Sequence, residues 1–163
     1  WIPAKAIVAQ ILLERAWDIS LQTGKKVKPW PWADCWPVGR LRHSRLGIEL
    51  IVLEGASGEA LAFGPGRLEA SDALGGEYHT VLAGHRDTSF SFLQELQSGD
   101  ELLVETNNGK QLYKVSETRV IAASALYLNA QDRKTLSLVT CYPFDSFIPQ
   151  TQQRYLVTAR AES

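Results

Sequence analysis

The chain has 163 residues, 45% hydrophobic and 21% charged, with a formal net charge of −1. That length suits one domain with a sizeable core, and the near-neutral balance removes the electrostatic case for nucleic acid or for an anionic membrane surface. No stretch reaches the length of a membrane span, and a chain that lacks Met and opens on Trp1 is expected to be a processed form, with any signal or anchor removed.

Residues 4–19 read as a helix: Ile7, Ile11 and Leu12 recur at helical spacing, with Lys5, Glu14 and Arg15 polar. A helix docked on the domain is preferred to one continuing a membrane anchor. Residues 28–37 carry Pro29, Pro31 and Pro37, which exclude a regular helix, and Trp30, Trp32 and Trp36, three indoles to bury. A hydrophobic strap over the domain's outer wall is expected there. Residues 38–44 and 48–53 form a hairpin around Leu46-Gly47, and 77–83 form a strand. Residues 90–96 suit one or two helical turns, capped by Asp87, Thr88 or Ser89. Strands over 101–106 and 110–121 join through Asn107-Asn108-Gly109, a hairpin signal, and strands over 134–141 and 154–161 complete the set. Seven or so short strands predict a mainly β fold, a closed or nearly closed barrel. The chain divides into a helix and Trp/Pro-rich segment, 1–37, and a barrel, 38–163.

The chemistry concentrates at strand ends. His85 lies in Ala83-Gly84-His85-Arg86-Asp87, Cys141 in Leu138-Val139-Thr140-Cys141, and Arg154 in Gln153-Arg154-Tyr155-Leu156-Val157. A thiol, an imidazole and a guanidinium are the parts for acyl transfer through a thioester. A free Cys is most often a small buried hydrophobe. Here strand parity puts Cys141 on one face with Ser137 and Val139, and Tyr142-Pro143 ends the strand, leaving the thiol at a rim. Gly84 lets the backbone turn before His85, a position suited to general acid–base work. Arg154 opens the last strand, where fixed donors can meet an oxyanion; Arg160 lies at that strand's other end. His79, inside a strand, reads as structural. His43 sits on a polar hairpin without a catalytic partner. Asp87 is better explained as a helix cap than as the acid of a triad. Cys35 is not needed for catalysis, and two cysteines make no disulfide framework. No Cys/His cluster has zinc spacing and no acidic run forms a calcium loop, so no cofactor or metal is expected.

Taken together, these residues resemble the sortase family of cysteine transpeptidases. Ser137-Leu138-Val139-Thr140-Cys141 matches that family's Thr-Leu-x-Thr-Cys strand with Ser for the first Thr, and Arg154 follows 13 positions later. The resemblance runs from about Val38 to Ala161. It implies an eight-stranded barrel, catalysis by His85, Cys141 and Arg154, and substrate contacts from Thr140 and Ser137. It also implies cleavage of a Leu-Pro-x-Thr-Gly-like sorting signal and transfer of the acyl group to an amine of the cell envelope. An enzyme outside the cytoplasm, tethered to the inner membrane and facing the periplasm, follows from the same source. The Trp-Pro cluster resembles sortase-like proteins of Gram-negative bacteria. Asp34 between Trp32 and Trp36 also offers a lid reading, since some sortases cover the site with an acidic residue beside an aromatic. The rival readings are a cysteine protease without transpeptidation and a non-catalytic β-barrel binding module.

Overall fold

The computed structural model describes residues 4–55, 57–126, 129, 131–149 and 151–161. Helix α1 (Ala4–Thr23) leads to β1 (Pro37–His43) and β2 (Ile48–Glu54), the short α2 (Gly58–Leu61), β3 (Gly66–Arg67) and β4 (His79–Ala83). A 3-10 helix (Ser91–Glu95) precedes β5 (Glu101–Thr106) and the long β6 (Gly109–Ala122), then β7 (Thr135–Tyr142) and β8 (Gln153–Ala161). Among the described residues the eight strands close into a barrel in the order β1-β2-β3-β4-β7-β8-β6-β5. The β2–β3 and β4–β7 pairs are parallel and the other neighbours antiparallel. The expected closed barrel is therefore present.

Alternation decides which side chains fill it. Leu136 and Leu138 on β7 are fully buried with Leu41, Val52, Leu82, Leu102 and Val157, and Phe90, Phe92 and Leu93 plug this core from the 3-10 segment. Each such side chain stabilises by about 1.5–3 kcal/mol relative to exposure. The opposite face of β4, β7 and β8 carries a smaller apolar patch of Val81, Val139 and Leu156.

The N-terminal segment packs on the outer wall. Leu13, Trp17, Ala33 and Cys35 are buried against Ile51, Leu53 and Ala60, and Trp30 meets Phe63 edge-on at 4.9 Å. Arg40, only 7% exposed, holds α1 to β1: its two Nη groups donate to Glu14 at 3.0 and 2.6 Å, and Nη1 also donates to Glu49 at 2.6 Å. Bidentate charge-assisted bonds of this kind fix orientation as well as distance.

Several expectations need correction. Helix α1 runs four residues further than the periodicity predicts, to Thr23. Elements α2 and β3 were not expected, and two residues such as Gly66-Arg67 carry no period. Trp32 is 81% exposed rather than buried. A turn with Ala33 N–H donating to Trp30 C=O at 3.1 Å gives the inward positions to Trp30, Ala33 and Cys35 and turns Trp32 out. The cap position of the 3-10 helix is Phe90, without a side-chain cap bond, so Asp87, Thr88 and Ser89 do not cap it. His43 is not on a polar surface; it is buried, its Nδ1 2.7 Å from Glu101 C=O. Among the described residues no helix is long and apolar enough to cross a membrane.

Candidate active site

Strand β4 delivers His85 to the barrel rim. Gly84 N–H donates to Val139 C=O at 3.2 Å, the last backbone link from β4 to β7 among the described residues. A Cβ at position 84 would come within 2.8 Å of the buried Phe90 ring, so the close approach of that ring requires glycine. Beyond it the backbone leaves the sheet and His85 is exposed. Its carbonyl accepts from Phe90 N–H at 3.0 Å, and Thr140 Oγ1 donates to Gly84 C=O at 2.7 Å. The imidazole is exposed, while the backbone at its root is anchored.

Cys141 and Arg154 face each other in the antiparallel register of β7 and β8. Cys141 is partly exposed and free. Arg154 Nη1 donates to Thr151 C=O at 2.7 Å and to Gln153 C=O at 2.9 Å, which fixes the plane of the guanidinium. Tyr142 stacks on Tyr155 at 6.0 Å and Phe144 meets Tyr155 at 5.1 Å, stiffening this end of the strand pair.

His85, Cys141 and Arg154 line one cavity of about 290 Å³, with Ala83, Val139 and Leu126 among its apolar lining. Among the described residues no hydrogen bond joins the three side chains. A second cavity of about 390 Å³ shares His85, Cys141 and Pro149 with the first and adds Arg86, Asp87, Ser146 and Phe147. None of residues 30–37 lines either cavity, so the Trp-Pro segment is a strap and not a lid. Arg86 Nη2 donates to Ser146 C=O at 2.9 Å and to Ile148 C=O, tying the segment after β7 to the His85 loop. Sequence reading passed over Arg86; its only signal was adjacency to His85.

The two expected substrate contacts separate. Thr140 lines the Cys141 cavity, although its hydroxyl is engaged by Gly84. Ser137 is buried and lines a different cavity of about 180 Å³, with His79, Asp132, Arg119 and Arg160. There Ser137 Oγ lies 2.7 Å from His79 Nε2. His79 Nδ1 lies 3.4 Å from Asn129 C=O and 4.0 Å from Asp132 Oδ2. A carbonyl only accepts, so the proton belongs on Nδ1 and Ser137 donates to Nε2. Burial holds this imidazole below the ordinary histidine range. Cys35 is free and fully buried; burial, then Asp34 and Glu59, push its thiol pKa up.

A Sortase domain family model matches residues 41–162. Sortase D of Bacillus subtilis (strain 168) is 30% identical over 121 residues, covering 73% of this chain and 61% of that protein. The chain thus spans about three-fifths of that curated relative. Among solved structures, a Clostridium perfringens Sortase D5 transpeptidase superposes with a TM-score of 0.73 at 20% identity, covering 96% of this chain and 99% of the other. Listeria monocytogenes sortase A gives 0.67 at 22% identity, covering 78% and 88%. At these identities the structural matches speak to the fold.

Proposed function

The chain belongs to the sortase family, and on that premise we propose that it is a cysteine transpeptidase whose nucleophile is Cys141. The observation that carries this reading is the meeting of Cys141 with Arg154 across one register position, in a cavity that His85 also lines.

The Cys141 thiolate attacks the carbonyl carbon of the donor peptide. Negative charge moves to the carbonyl oxygen, where Arg154 meets it. Nη1 is engaged with Thr151 and Gln153, and the N–H groups on Nε and Nη2 remain for the oxyanion. The C–N bond breaks, His85 protonates the departing amine, and the acyl group stays on sulfur as a thioester. His85 takes the ammonium proton of an incoming amine, the freed nitrogen attacks that carbon, the thiolate leaves, and the remaining proton goes to the thiolate or to water.

The donor is a sorting signal of the Leu-Pro-x-Thr-Gly type, whose apolar residues suit the lining of Ala83, Val139 and Leu126. A Clostridium perfringens sortase C with a similar fold has been solved with a C-terminal cell wall sorting motif. The acceptor is an amine of the cell envelope, and the enzyme works outside the cytoplasm, at the inner membrane and facing the periplasm. Residues 1–37 support the barrel and residues 38–163 carry the catalysis.

Incubating the protein with a panel of Leu-Pro-x-Thr-Gly-type peptides, with and without an amine, tests this by mass spectrometry. A donor–amine product that depends on Cys141 is expected. Hydrolysis alone at every amine concentration would favour a protease, and no reaction with any peptide would favour a binding module.

A further inference from the structure

We infer that the second cavity beside Cys141 receives the acyl acceptor, and that Asp87 is the residue that recognises its protonated amine. The inference rests on the transpeptidase reading above. Arg154 and the aliphatic lining of Ala83, Leu126 and Val139 belong to the first cavity alone, while Asp87 belongs to the second alone. Only His85, Cys141 and Pro149 are common to both. A thioester carbon on Cys141 carries its acyl chain along the side that holds the oxyanion donor and the apolar lining. The amine must then arrive through the other space, by the path the first amine took on leaving.

Among the described residues Asp87 serves no other part of the fold. It does not cap the 3-10 helix, and among the described residues no cation lies within ion-pair distance of it. Its neighbour Arg86 also lines this cavity but directs Nη2 to the Ser146 and Ile148 carbonyls. An exposed carboxylate in a cavity with His85 and the reacting sulfur therefore faces the place where an ammonium has to wait. The steps balance. The ammonium passes one proton to His85 and becomes a nucleophile. Its nitrogen bonds to the thioester carbon, the C–S bond breaks, and Cys141 leaves as thiolate. The second proton leaves the nitrogen as the amide forms, for the thiolate or water.

The test forms the acyl-enzyme from a donor peptide and follows its partition between a glycine-terminated amine and water, in the parent protein, Asp87→Asn and Asp87→Lys. Asp145→Asn, an exposed change that touches neither cavity, is the control. Asp87→Asn is expected to raise the KM for the amine about three- to fivefold, the scale of an exposed ion pair, and Asp87→Lys more. The rate at saturating amine stays within about twofold, and the gap closes in about 1 M salt. Hydroxylamine, uncharged at neutral pH, is expected to partition alike in every variant. Equal partition of the charged amine in parent and Asp87 variants overturns the assignment, as does an equal loss with hydroxylamine. If the parent forms no acyl-enzyme, the transpeptidase reading fails and takes this assignment with it.

Discussion

His79 opens β4 and His85 lies two residues past its end, so the β4–β7 pair carries a histidine beside a potential nucleophile at each extremity. At the His79 end Ser137 Oγ lies within hydrogen-bond distance of Nε2, at 2.7 Å, while Asp132 Oδ2 stands 4.0 Å from Nδ1, beyond hydrogen-bond reach, so the residue types of a Ser-His-Asp triad are present with one of its two bonds. At the His85 end the three side chains share a cavity without bonding one another. Hydrogen bonding alone would select the first end. Access selects the second. Ser137 is 3% exposed in the middle of β7, between β4 and β8 on the sheet ladder, where backbone N–H groups are committed to strand partners and none is free for an oxyanion. Cys141 sits where that ladder ends. A satisfied polar cluster stabilises a fold; a nucleophile needs a path for a carbonyl and donors still unspent.

The two ends differ most at sulfur. Cys141→Ala is expected to lower acyl transfer by roughly 10⁴-fold or more with circular dichroism unchanged; near-parent turnover in the folded variant would shift attention to the other end. The two histidines should then give opposite phenotypes. His85→Ala is expected to cost about 10²–10⁴ in turnover at an unchanged melting temperature, because the side chain is exposed. His79→Ala is expected to cost about 1–3 kcal/mol of stability, since it leaves the buried Ser137 hydroxyl without its acceptor, and to keep the turnover of the folded fraction within about threefold. Melting curves and steady-state rates on the same samples check both. Arg154→Ala should lower turnover about 10²–10³-fold, and Arg154→Lys should recover little, because an ammonium has no planar fork to hold two backbone carbonyls and an oxyanion together.

The smallest effect is in pH. The folded pKa of His79 lies below its unfolded value of about 6.5. In that window the unfolded chain binds the extra proton, so stability is fully present above about pH 6.5 and is lost as the pH falls towards the folded value. Denaturant titrations at pH 7.5 and 5.5 should show this decline in the parent and a shallower one in His79→Ala. An unchanged decline would assign the pH dependence elsewhere.

How much of this was legible in the chain differs by element. Strand parity correctly placed Ser137, Val139 and Cys141 on one face, and Leu136 and Leu138 fill the barrel from the other. His85, Cys141 and Arg154 were findable because each stands at a strand end in a recognisable context. The same parity could not tell that Ser137 lies one cavity away from Cys141, because it fixes a face and not a position along the groove. Asp87 was read as a cap from its spacing, yet the helix starts later, at Ser91, where backbone bonds to His85 C=O and Thr88 C=O organise the turn instead. Trp32 looked buried because indoles usually are; which of three goes inward depends on one backbone turn. The tie from Arg86 to the loop after β7 spans about 60 positions and leaves no local pattern.

Trapping the covalent intermediate decides whether Cys141 is the nucleophile. The protein is mixed with a donor peptide without amine, quenched in acid, digested and mapped by mass spectrometry. The acyl mass is expected on the fragment containing Cys141, at that sulfur, and is expected to disappear on adding an amine. Acyl mass on Ser137, or cleaved donor with no covalent intermediate on Cys141, would contradict it.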